Sequence, residues 1–143
     1  QTGVDLQVVV SARDVYAQVI ITPFIQFNSL DTNLSSRTLR GTGSSVFSQS
    51  ATNLASLIGA ASGSSATANT FGNFSTYIAN YTSAQAKSVS IDAVSENNAT
   101  EAGQYLVAGL WNSTSAITTV TIKAGGSSFA QYSTASLYKI TAD

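Results

Sequence analysis

Four aromatic side chains, Tyr77, Tyr81, Trp111 and Tyr132, stand among short polar residues, with Asn80, Asn97, Asn98, Asn112 and Gln131 as hydrogen-bonding candidates. An aromatic face covers the apolar side of a sugar ring, and a carboxamide both donates to and accepts from hydroxyls. This set could therefore hold a glycan without covalent chemistry. Packing is the competing account for each aromatic. Tyr77 lies in an alternating run with Phe74 and Ile78, and Trp111 closes an apolar run where a core position explains it as well.

Other chemistries find fewer residues. Asp92, Glu96 and Glu101 fall within ten residues of one another, and paired carboxylates can cleave a glycosidic bond. That reaction needs one of the pair kept protonated by its surroundings, and the sequence offers no group to do it, so solvation at the surface is the simpler reading. Asp31-Thr32-Asn33 places oxygen ligands at alternate positions but lacks the remaining carboxylates and the glycine of a calcium loop. The chain has no His, Cys or Met. Ser-His-Asp and Cys-His triads, thiolate redox chemistry, zinc ligation by His or Cys, and disulfides are thereby excluded. No enzyme activity, cofactor or metal is expected. Asn-X-Ser/Thr triplets occur at Asn33, Asn73, Asn80, Asn98 and Asn112, a mild excess for so Ser/Thr-rich a chain. Arg37 and Arg40 are the only close basic pair and read as a solvated strand face.

With 143 residues the chain has the length of one domain, taken as 1–143. Charged residues make up 9%, against roughly a quarter in ordinary domains. Ser and Thr supply 40 residues, and such a surface can meet sugar hydroxyls with little salt dependence. Six basic and seven acidic residues give a net charge of −1, without the basic patch that nucleic acid or an anionic membrane would require. Apolar runs such as Val8-Val9-Val10 and Val19-Ile20-Ile21 are of strand length, far from the roughly 18 residues of a membrane span. No basic segment followed by an apolar stretch opens the chain at Gln1, so no signal peptide is expected, and without an initiator Met the chain reads as a processed product or a part of something longer.

Period-two alternation sets the elements that must position these residues. Strands are expected at Leu6–Ser11, at Gln18–Thr22 and Phe24–Phe27 around Pro23, and at Ser36–Thr42 within a polar stretch from Ser29 to Ser50. Further strands are expected at Asn73–Ile78, Ser88–Ala93, Tyr105–Trp111 with both faces covered, Ile117–Ile122 and Ser133–Ile140. Pro23 implies a bulge, a bend or an edge. Thr52–Ala61, with Leu54, Leu57 and Ile58, fits a helical turn or an irregular strand, and Ser62–Asn69 reads as a long loop. Turn clusters such as Glu96-Asn97-Asn98 and Gly125-Gly126-Ser127-Ser128 separate the runs. The expected fold is all-β, an antiparallel β-sandwich of jelly-roll type with about eight strands.

Several segments also resemble a known family. These are Leu6-Gln7-Val8-Val9-Val10-Ser11-Ala12-Arg13-Asp14, Ala66-Thr67-Ala68-Asn69-Thr70-Phe71-Gly72, Ile78-Ala79-Asn80-Tyr81, Gly109-Leu110-Trp111-Asn112-Ser113-Thr114-Ser115-Ala116-Ile117-Thr118 and Phe129-Ala130-Gln131-Tyr132-Ser133-Thr134-Ala135-Ser136-Leu137-Tyr138. In this order they resemble a jelly-roll domain of virion structural proteins in tailed bacteriophages, marine ones especially. The resemblance implies a tail-fibre or receptor-binding tip that attaches without covalent chemistry to a host-surface glycan, as part of an extracellular particle. It also implies partners: other virion proteins and further copies of the chain, with a trimer expected. A capsid decoration or filament subunit is the alternative. Exposure of Tyr81, Trp111 and Asn97 at a tip would favour attachment, and their burial against neighbouring subunits would favour decoration. The family carries no catalytic motif. Three departures are the start at Gln1, ahead of which members carry a further strand and an Ile-Pro pair, so that the resemblance implies a C-terminal fragment following a lost strand; Lys139, where many members have Gly before Ile140; and a longer stretch ahead of Phe24 that suggests an inserted hairpin or a different oligomer contact.

Overall fold

A computed structural model describes residues 4–53, 57–98 and 100–141. The described chain is all-β, with eleven strands and no helix. The strands are β1 (Val4–Ala12), β2 (Ile20–Ile21), β3 (Phe24–Phe27), β4 (Leu34–Gly41), β5 (Val46–Thr52), β6 (Ala61–Ser62), β7 (Gly72–Ile78), β8 (Lys87–Ser95), β9 (Gly103–Trp111), β10 (Val120–Lys123) and β11 (Thr134–Thr141). Seven of them form one antiparallel sheet in the order β11-β1-β7-β8-β9-β4-β5, while β10-β3 and β2-β6 form two small pairs. The arrangement is consistent with a β-sandwich of very unequal layers.

The large sheet follows the sequence alternation. Leu6, Val8 and Val10 of β1, Phe74 and Ile78 of β7, Val89 and Ile91 of β8, and Tyr105 and Val107 of β9 are buried on one face. Against them pack Ile25 and Phe27 of β3, with Leu57, Ile58 and Ile117 from irregular segments. Burying these apolar surfaces is the main favourable term, at about 25 cal/mol per Å². The covering layer has little regular structure of its own, so its backbone polar groups need partners elsewhere. Buried Asp14 accepts hydrogen bonds from the backbone N–H of Tyr16 (2.8 Å), Gly126 (3.1 Å) and Ser127 (3.2 Å). Its neighbour Arg13 donates to the carbonyls of Thr67 and Thr70 at 2.9 Å and Ala66 at 3.1 Å. Asn28 binds the opposite loop, donating to Ala116 O and accepting from Thr118 N–H, both at 2.8 Å.

Several expectations change in detail. β9 is covered on one face only: Leu106 is half exposed, because none of the described residues packs over it on the outer side of the sheet. The polar stretch from Ser29 to Ser50 contributes two strands rather than one. β5 has no alternating apolar pattern and is held by its seven-residue register with β4, from Ser35↔Thr52 to Gly41↔Val46. Pro23 lies in the two-residue interruption between β2 and β3, where its carbonyl accepts from Gly59 N–H at 2.7 Å. Leu54 lies outside the described residues, and Ile58 forms a single bridge to Phe24 rather than a helical turn. The residues ahead of Ile20 form bends rather than a hairpin. Ser62 closes β6, so the expected long loop starts one residue later.

Gly59 shows how tightly the layers meet. A Cβ there would stand 2.4 Å from the Phe74 ring, whereas one at Gly41 would meet nothing within 4 Å. Gly59→Ala should therefore lower unfolding stability by about 1–3 kcal/mol through overpacking, and Gly41→Ala should change it by less than about 0.5 kcal/mol, as read by urea denaturation.

Candidate functional site

The outer face of the seven-stranded sheet carries an open groove. Strand register determines what it presents. Tyr77 of β7 pairs with Ser90 of β8, Ser90 with Ala108 of β9, and Ala108 with Arg37 of β4. These four residues form one row across the sheet. The next row runs Ser75, Asp92, Leu106, Leu39 and Ser48. Because Ser90 and Ala108 are small while Tyr77 and Arg37 are large, the row is a trough with an aromatic wall and a guanidinium wall. At a strand spacing of about 4.8 Å the two walls stand roughly 14 Å apart at the backbone. The resulting groove has a volume of about 690 Å³, and Ser88, Asp92, Leu39 and Leu106 complete its lining.

Tyr77 is 39% exposed, and its hydroxyl donates to Asp5 Oδ2 on the neighbouring strand β1. The second oxygen of Asp5 accepts from Asn80 N–H at 2.7 Å. These two bonds, the Tyr77 one first, hold the Asp5 carboxyl below its ordinary value of 3.8. The same hydrogen bond to Asp5 raises the Tyr77 phenol above its ordinary value of 10.0. A ring tethered at its hydroxyl presents a fixed face.

The other sequence candidates disperse. Trp111 is fully buried, its ring centroid 5.6 Å from that of Phe27. Lys87 Nζ lies 5.3 Å from the Trp111 ring. The ammonium also donates to the carbonyls of Ser83 (2.7 Å), Ser113 (3.2 Å) and Ser115 (2.5 Å), and its burial pushes the lysine pKa down. Trp111 is thus a core residue and is corrected as a ligand candidate. Asn97 is corrected likewise, being 1% exposed, with its amide donating to Ser95 Oγ at 3.4 Å. Both are buried within the domain itself, so neither marks a tip or a subunit contact. Tyr81 is half-buried against the core under β11. Tyr132 is 79% exposed at a turn with φ 71°, away from the groove lining. Asn112 is exposed, and its N–H donates to Asn33 O at 2.7 Å.

Asparagine proves to be turn chemistry. Asn28, Asn33, Asn53, Asn69, Asn80 and Asn98 all have left-handed φ between 49° and 63°, a conformation Asn tolerates better than other non-glycine residues. The carboxylates also part company. Asp92 faces the groove, Glu96 accepts from Asn98 N–H at 2.9 Å, and Glu101 pairs with Arg40 at 2.5 Å. No group of three or more acidic side chains that could hold a metal occurs among the described residues, and Asp31 has no such companions. Sequence reasoning missed Arg37, Leu39, Leu106, Ser88 and Ser90. Alternation puts Arg37 and Leu39 on one strand face, but only the cross-strand register brings them opposite β9 and into the row of Tyr77. It also divides the basic pair: Arg40 projects from the other face of β4, over the rings of Phe47 and Tyr105.

No protein-family profile, curated protein or solved structure matches the chain.

The Asp5 tether should be visible in acid. Because its folded pKa is depressed, its contribution to stability is present above pH 3.8 and is lost as pH falls through the folded value. Thermal midpoints recorded from about pH 6 to about pH 2 should fall less steeply for Asp5→Asn than for the parent chain. Equal slopes would mean that the bond does not form in solution.

Proposed function

We propose that the domain is a non-enzymatic glycan-binding module, serving host attachment in the virion of a tailed phage and acting through the open face of its large sheet. The row Tyr77, Ser90, Ala108, Arg37 carries this reading. An aromatic wall, a floor of small and hydroxyl-bearing residues, and apolar Leu39 and Leu106 beside it suit a pyranose, which has an apolar face and a polar rim. The phage assignment rests on the resemblance of the segments from Leu6 to Tyr138. In a fibre, copies presented together would bind by avidity, so each groove can be weak.

A structural-subunit reading draws on the sheet edges. Among the described strands β5 and β11 each pair on one side only, and they expose Val46, Phe47, Leu137 and Ile140. Edge strands are usually guarded by charge, and β11 carries Lys139 while β5 has no charged residue. Self-association through β5 would place this chain in an oligomer such as the expected trimer, or in a decoration or filament array.

Two measurements separate these readings. Tyr77→Ala should weaken saccharide binding at least about tenfold, equivalent to 1.4 kcal/mol, in calorimetry, with an unchanged far-ultraviolet spectrum. Unaltered binding would move the site elsewhere. In sedimentation over a concentration series, Ser50→Lys on β5 should shift the chain toward monomer, and Ser136→Lys on β11 should not. A parent chain that is monomeric throughout removes the subunit reading.

A further inference from the structure

The strands place three charged side chains on the open face, and their positions give the groove a polarity. Asp5 on β1 stands beyond the Tyr77 wall, where Tyr77 and Asn80 already occupy its oxygens. Asp92 lies on β8 in the adjoining row, and Arg37 stands on β4 at the opposite wall. Two strand spacings and one row separate Arg37 from Asp92, about 12 Å at the backbone, so the two are not an ion pair. The only salt bridge among the described residues joins Arg40 to Glu101. Among the described residues Arg37 donates to a single acceptor, the carbonyl of its own neighbour Ser36, at 3.0 Å. A guanidinium carries five N–H donors, so most of the capacity of this groove-lining residue is left for a ligand.

On the glycan-binding reading just given, we infer that the ligand is an anionic saccharide, bound with its acid group on Arg37 and a neutral ring on Tyr77. Arginine meets a carboxylate or sulfate with paired, charge-assisted hydrogen bonds, which a neutral hydroxyl cannot match. Asp92 accepts sugar hydroxyls and repels a second anion, and Asp5, whose oxygens are taken by Tyr77 and Asn80, adds only its negative charge beyond Tyr77. The acid group is therefore directed to the β4 end, which fixes the direction in which the saccharide lies. Such binding weakens with added salt, as an exposed ion pair must, in contrast to the salt-insensitive surface that the low overall charge suggests.

The test uses two matched pairs of probes: oligogalacturonate with its methyl ester, and a sulfated galactan oligosaccharide with its unsulfated form. The parent chain should bind an acidic member at least about tenfold more tightly than its uncharged match, and the pair showing the preference identifies carboxylate or sulfate. Arg37→Gln should erase that preference at an unchanged thermal midpoint. Lys139→Gln, which removes a cation from the other face of the sheet, should retain it. Equal binding of charged and uncharged members, or a preference that survives Arg37→Gln, overturns the role of Arg37 and leaves glycan binding standing. Failure of all four probes to bind overturns both.

Discussion

Everything in this fold depends on satisfying the backbone of a covering layer that is mostly loop. A seven-stranded sheet supplies its own ladder, but the segments that seal its apolar face have only two short strand pairs between them. Their carbonyls and amides would be costly to bury alone. Arg13 and Asp14, adjacent at the end of β1, answer this with one donor and one acceptor side chain directed into separate loops. Lys87 does the same at the opposite end of the sheet, where three carbonyls and the Trp111 face take the place of water around its ammonium. In a chain with so few charges, several of them serve as internal fasteners. This also accounts for the absence of cross-links: the loops are held by hydrogen bonds that reach across more than a hundred residues of sequence.

The same arrangement leaves the other sheet face open. All of the covering segments lie on one side, so the alternate positions of β4, β7, β8 and β9 face solvent with a mixture of Tyr, Leu, Ser and two charges. The overhanging strands β5 and β11 are exposed at every position but Ala51 for a related reason, since the covering layer is narrower than the sheet. Groove and edges are thus two consequences of one asymmetry, and they support the attachment and assembly readings respectively.

Much of the architecture was legible beforehand. β1, β7 and β8 announce themselves by alternation, because a half-buried strand must place apolar residues at every second position. β5 was not legible, since an edge strand exposed on both faces needs no apolar pattern and takes its order from β4. Of the aromatic candidates, Tyr77 reached the groove while Trp111 went to the core: alternation sets Tyr77 on the polar face of β7 with Asn73 and Ser75, whereas β9 is apolar at consecutive positions and leaves the face of Trp111 open. The abundance of asparagine pointed toward hydroxyl recognition, yet six of the nine asparagines sit at left-handed backbone positions, where their side chains stabilise turns.

The sequence by itself determined an all-β chain, its strand-forming runs, and a poverty of charged and reactive side chains, because composition and period-two patterning act locally. Tertiary structure decided which strands became neighbours. That decision placed Arg37 in the row of Tyr77, sent Arg40 to the other face, and sealed Trp111 and Asn97 inside. Register between strands distant in sequence is set by the whole sheet and its covering layer, and the chemistry of a sheet surface exists only once that register does.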